Sequence, residues 1–153
     1  MSYTLIIVDM QACFSASTKK TVQRNCQIEI RKAIKNNANI VFLEFEGYGP
    51  TLSSLTDIVA DANYSKNYRA IKPINDGSES VLSLLRKKKL PRTNFRVCGV
   101  NTDCCVYSTV EGLDVKISKN LKIEVVSKAC GSQYSHKEGI EDMQNLSHRV
   151  SVL

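Results

Sequence analysis

Short apolar runs alternate with amphipathic segments along the chain. Tyr3–Asp9, Asn39–Phe45, Arg69–Lys72, Asn94–Val100, Leu121–Ser127 and Arg149–Leu153 read as strands. Several are nearly continuous in Ile, Val, Leu and Phe, the pattern of strands buried on both faces by covering helices. Between them, Val22, Cys26, Ile30, Ala33 and Ile34 recur at helical spacing. Val81, Leu84 and Leu85 form a second stripe, Val106, Val110 and Leu113 a third, and Ile140, Met143 and Leu146 a fourth. Leu52, Leu55 and Val59 mark a shorter helix. This alternation predicts a doubly wound α/β fold: a Rossmann-like, three-layer α/β/α sandwich on a mostly parallel six-stranded sheet.

The 153 residues suit one domain with a single core, residues 1–153, and show no linker, repeat or low-complexity tract. The formal charge of +6 raises nucleic acid as a partner. The cations are scattered, however, and their one run, Arg86–Lys89, follows the stripe at Val81–Leu85, where cations suit a helix C-terminus. No nucleic-acid partner is therefore expected. The first apolar run is too short to span a membrane and begins too early for a signal peptide. Six cysteines without a CxxC pair, several beside apolar segments, read as a reduced, cytoplasmic protein.

In open parallel sheets ligands bind beyond the carboxyl ends of the strands, where strand order reverses. Three polar residues close strands there. Asp9 ends LIIVD, where a loop or capping aspartate is the plain alternative. Lys72 ends YRAIK before Pro73, where a solvated lysine is the alternative. The strand NFRVCGV runs into Asn101-Thr102-Asp103 and a helical stripe, with Thr102 or Asn101 as N-cap. Cys105 then falls in the first helical turn, where the helix dipole is expected to lower the pKa of a thiol. Cys104, its neighbour, should point elsewhere. An acid, an amine and a thiol at three strand ends are the components of covalent acyl transfer.

These residues resemble the isochorismatase-like cysteine hydrolases, which include nicotinamidases and N-carbamoyl amide hydrolases. Asp9-Met10-Gln11 with Phe14 is similar to the opening D-x-Q-x-x-F, Lys72-Pro73 to the central Lys-Pro, and Gly99–Val106 to G-x-x-T-D-x-C-V. The resemblance implies a catalytic triad of Asp9, Lys72 and Cys105. It also implies a cis peptide between Val100 and Asn101, and an oxyanion hole of the Asn101 and Cys105 backbone amides. Phe14 stands where the family has an aromatic wall. Glu44, Glu46 and Tyr48 follow the second strand, and Glu44 is taken as a second substrate-binding candidate. Asp103 and Tyr107 read as structural, His136 as a surface residue and His148 as a loop residue.

Nicotinamidases carry an Asp-x-His and a further His as metal ligands, whereas the corresponding FLEFEGYGPT has no histidine. No metal and no cofactor is therefore expected. Cys105 also disfavours the vinyl-ether chemistry of true isochorismatases, which lack that cysteine. The expected activity is metal-independent hydrolysis of a C–N bond in a small amide or carbamoyl compound through a thioester. The resemblance further implies a homo-oligomer, dimer or tetramer. Two other classes remain open: a non-catalytic small-molecule-binding or regulatory protein on the same fold, and a redox role for Cys104 and Cys105.

Overall fold

The computed structural model describes residues 2–153. Six strands, β1 (Tyr3–Val8), β2 (Asn39–Phe45), β3 (Asn67–Lys72), β4 (Asn94–Val100), β5 (Ile123–Gly131) and β6 (Val150–Val152), form one sheet in the order β3-β2-β1-β4-β5-β6. Every neighbouring pair is parallel. The helices are α1 (Lys20–Lys35), α2 (Ser53–Asp61), α3 (Ser78–Lys87), α4 (Tyr107–Lys116) and α5 (His136–Gln144). Helices α1 and α2 pack together on one side of the sheet, while α3, α4 and α5 pack in sequence on the other. The architecture is the expected Rossmann-like α/β/α sandwich.

The burial explains the apolar runs. Leu5, Ile6, Ile7 and Val8 of β1, at the centre of the sheet, are all within 1% of full burial, as strands covered on both faces must be. On α1 the buried side chains are Val22, Cys26, Glu29, Ile30 and Ala33, a single stripe at helical spacing. Cys26 lies 3.8 Å from Cys98 of β4, sulfur to sulfur, inside this core. Arg86 and Lys87 close α3, as the charge run predicts. No helix among the described residues is long and apolar enough to cross a membrane.

Two strands differ from the sequence reading by two residues or more, β1 by one residue at one end and β6 by one at each end. β5 continues past Ser127 to Gly131, and its register against β4 shifts between Val97 and Gly99. The irregularity absorbs the polar Ser127-Lys128, which had marked an end. β3 begins at Asn67, two residues early, because an edge strand tolerates the half-exposed Asn67 and Tyr68.

Strand order reverses between β1 and β4, so the crevice of a doubly wound sheet opens beyond their carboxyl ends. Gly99 makes that junction tight. Its φ is +122°, and a Cβ there would sit 2.1 Å from the Val8 carbonyl oxygen. Only glycine lets β4 leave the sheet this close to β1.

Candidate active site

Asp9 follows β1 with φ 51°, a left-handed conformation that few residues other than glycine adopt. It turns the carboxylate under the crevice, where it is 1% exposed. Gln11 fixes this exit. Its side chain, wholly buried, donates to the Phe45 and Gly49 carbonyls (3.0 and 2.7 Å) and accepts from the Phe45 amide (2.9 Å). The loop after β1 is thereby tied to the loop after β2.

Lys72, the last residue of β3, is fully buried. Its Nζ lies 3.2 Å from Asp9 Oδ2, donates to the Ile74 carbonyl (3.1 Å) and sits 3.8 Å from the centre of the Phe45 ring. An ammonium is tolerated out of water only with partners of this kind.

Beyond β4 the peptide between Val100 and Asn101 is cis. The expected first turn of α4 is instead a π-helical turn, Thr102–Val106, in which both the Cys104 and Val106 amides donate to the Asn101 carbonyl (3.0 and 3.2 Å). Asp103 pins the turn, accepting from the Ser132 hydroxyl (2.5 Å) and the Ser135 amide (3.1 Å). The Asn101 side chain accepts from the Gln133 amide (3.0 Å). Asp103 thus has the structural place expected of it. His136 is a correction: it is half-buried and hydrogen-bonded to Thr102 (2.7 Å), because α5 packs on the π turn.

Within this frame Asp9, Lys72 and Cys105 come together. The thiol is 8% exposed, while Cys104 is half-exposed. The electrostatics overturn one expectation. Burial, then the charge and hydrogen bonding of Asp9, push the Cys105 thiol up to about 12, with Lys72 opposing. The helix dipole does not prevail, because desolvation and an adjacent carboxylate both disfavour the thiolate. Burial also raises Asp9, against the charge of Lys72 and the weak hydrogen bond with Cys105. The best-directed contact of the thiol, however, is with Asn75 Oδ1 at 3.8 Å. Asp9 Oδ1 remains buried without a well-formed hydrogen bond.

Phe14 meets Tyr48 and Phe45 at ring-centroid distances of 5.0 and 6.4 Å, and Phe45 meets Tyr48 at 5.2 Å. The three rings form a wall beside Lys72. Glu44 is not part of it. Alternation along β2 sends Glu44 and Phe45 to opposite faces. The Glu44 carboxylate is buried and engaged by the Thr51 amide and hydroxyl (both 2.8 Å) and by Arg69 (2.5 Å). It has a structural task, and its place as a substrate-binding candidate passes to Tyr48. Glu46 is exposed. Phe45 and Asn75 also line an open groove with Ile74, Glu111 and Val115. Among the described residues, no three His, Cys, Asp or Glu side chains gather to hold a metal ion. Asn75 was missed because no motif marks it; its place three residues after Lys72, in a Pro-containing loop, was the available signal.

A family model described as the isochorismatase domain matches residues 3–152. The chain is similar to the nicotinamidase of Staphylococcus aureus (19% identity, all of both chains, TM-score 0.81). It is also similar to the pyrazinamidase/nicotinamidase of Streptococcus mutans (20%, 99% of each chain, 0.77). A third similar structure is the N-carbamoylsarcosine amidase of Thermoplasma acidophilum (13%, 99% of this chain and 95% of that one, 0.77). At such identities these likenesses speak to the fold. Comparison with curated protein sequences gives no match.

Proposed function

The chain belongs to the isochorismatase domain family, and from that premise we propose that it hydrolyses a C–N bond in a small amide or carbamoyl compound, with Cys105 as nucleophile. The observation that carries this reading is the unsatisfied, buried Asp9 Oδ1 beside a protonated thiol and an ammonium.

A thiol near 12 is almost wholly protonated at neutral pH, so attack must be coupled to proton removal. In the proposed cycle Sγ approaches the carbonyl carbon while the S–H proton passes to Asp9. Burial of Asp9 raises its proton affinity towards that of the thiol, which reduces the mismatch in this transfer. The amides of Asn101 and Cys105 receive the developing oxyanion, a contribution of about 3–4 kcal/mol for one such donor. Asp9 then protonates the leaving nitrogen, and the C–N bond breaks to leave a thioester on Cys105. Water, deprotonated by Asp9, attacks the thioester and restores the thiol. Lys72 holds Asp9 in place through its 3.2 Å contact with Oδ2. The wall of Phe14, Phe45 and Tyr48 offers apolar contact to a flat substrate.

The absence of imidazole after β2, and the engagement of Glu44 by Thr51 and Arg69, argue for chemistry without a metal ligated there. The test is ammonia release from a panel of primary amides and N-carbamoyl compounds, with and without a chelator. Turnover that survives chelation and vanishes in Cys105→Ala supports the proposal. Turnover retained in Cys105→Ala sinks it. The high proton affinity of the thiol also favours a rival reading, a binding protein in which Cys105 is inert. Ligand binding unaffected by Cys105→Ser, with no turnover across the panel, would support that rival.

A further inference from the structure

The best-directed contact of the thiol is not with the base that the proposed reaction needs. Cys105 Sγ faces Asn75 Oδ1 at 3.8 Å, and Asp9 Oδ1 stays buried without a well-formed hydrogen bond. Asn75 itself is exposed, on the loop that leaves Lys72, and lines the open groove with Phe45 and Ile74. Its backbone carbonyl accepts from Thr109 of α4 (3.5 Å), and the amide of nearby Gly77 donates to the same hydroxyl (3.0 Å). These contacts fix the loop through its main chain and leave the carboxamide free to change partner. One acceptor therefore stands between this groove and the sulfur, held only by a weak S–H contact.

We propose that Asn75 is a specificity-determining residue: its Oδ1 holds the thiol until substrate enters and then exchanges it for an N–H of that substrate. This rests on Cys105 being the nucleophile. The exchange frees the thiol to turn towards Asp9 Oδ1. It also sets the substrate class, because the group beside the sulfur must donate an N–H. Unsubstituted carboxamides and ureido groups qualify, whereas esters and N,N-disubstituted amides leave Asn75 Oδ1 without a donor.

Alkylation of the full-length protein tests this without knowledge of the substrate. Iodoacetamide carries a primary amide, and N,N-dimethyl-iodoacetamide is its analogue without N–H. Rates at each cysteine are read by peptide mass mapping over a range of pH. The expected result is that Cys105 prefers iodoacetamide by about fivefold more than exposed Cys13 does, the effect of one net hydrogen bond. Asn75→Ala should erase that excess. Asn75→Asp keeps the acceptor and should keep the preference, while its added charge moves the pH profile of Cys105 labelling upward. An excess that persists in Asn75→Ala, or an unmoved profile in Asn75→Asp, would overturn the inference while the nucleophile assignment stands. If Cys105→Ala retains amide turnover, the nucleophile assignment fails first and this inference with it.

Discussion

Two buried carboxylates in this molecule, Asp9 and Glu29, each pair with a cation, yet they behave in opposite ways. Glu29 of α1, 3% exposed, receives Arg96 of β4 in a forked contact (2.6 and 3.3 Å) and Lys32 at 3.2 Å. Burial pushes Glu29 up, but the hydrogen bonds and charges of Arg96 and Lys32 override it and hold the group below its usual value. Asp9, 1% exposed, has Lys72 on one oxygen and nothing well formed on the other, and burial leaves it raised. A carboxylate with both oxygens satisfied is a structural anion. One with an idle oxygen is poised to accept a proton, and the thiol beside it is the group placed to give one.

The contrast should be sharpest in chemistry. Asp9→Asn should lower turnover by about 10²–10⁴-fold, the usual contribution of a positioned base, whereas Glu29→Gln should leave the turnover of folded protein essentially unchanged. Comparable losses in both variants would break the distinction. Stability should reverse the order of concern. Glu29→Ala leaves the Arg96 cation, only 18% exposed, facing half-exposed Glu124, and should destabilise by about 3–5 kcal/mol in urea unfolding.

The pH dependences should also oppose one another. The folded-state pKa of Glu29 lies below 4.5, so its stabilisation is complete above that pH and is lost as pH falls through the lowered value. Asp9 is raised above 3.8, so it opposes folding increasingly as pH rises through its raised value. Denaturation midpoints across pH should therefore lose an acid-side decline in Glu29→Gln, while the Asp9 contribution runs the other way, absent as a penalty at low pH and present above its raised value. The acid limb of kcat/KM should likewise fall above the ordinary aspartate range, since Asp9 must be ionised to act. The smallest effect is expected from Lys32→Ala, which removes a half-exposed partner of Glu29 and should cost at most about 1 kcal/mol.

Much of this arrangement was legible in the chain. Fully buried strands announce themselves as apolar runs, so β2 and β4 were bounded to the residue and β1 to within one. Asp9, Lys72 and Cys105 were visible because each closes or follows such a run. Other features depend on contacts that no local pattern encodes. The π turn at Thr102–Val106 packs against α5, whose Gly139 approaches Asp103 so closely that a Cβ would lie 2.6 Å from its amide nitrogen. The thiol's proton affinity depends on depth and on Asp9, not on its place in a helix. Glu44 was misjudged because a strand end does not reveal which face its last residues occupy; Arg69 and Thr51 decide that. Nothing in the sequence of α1 singles out Glu29; its role comes from Arg96, which reaches it from a distant strand.

The central claim is that Cys105 carries the acyl group with Asp9 as its base. Acid-quenched protein, taken during turnover of an amide identified in the panel, should show an added acyl mass that maps to the Cys105 peptide. The adduct should be absent in Cys105→Ala and should form far more slowly in Asp9→Asn. An acyl mass on any other residue, or unimpaired turnover in Cys105→Ala, would contradict the account.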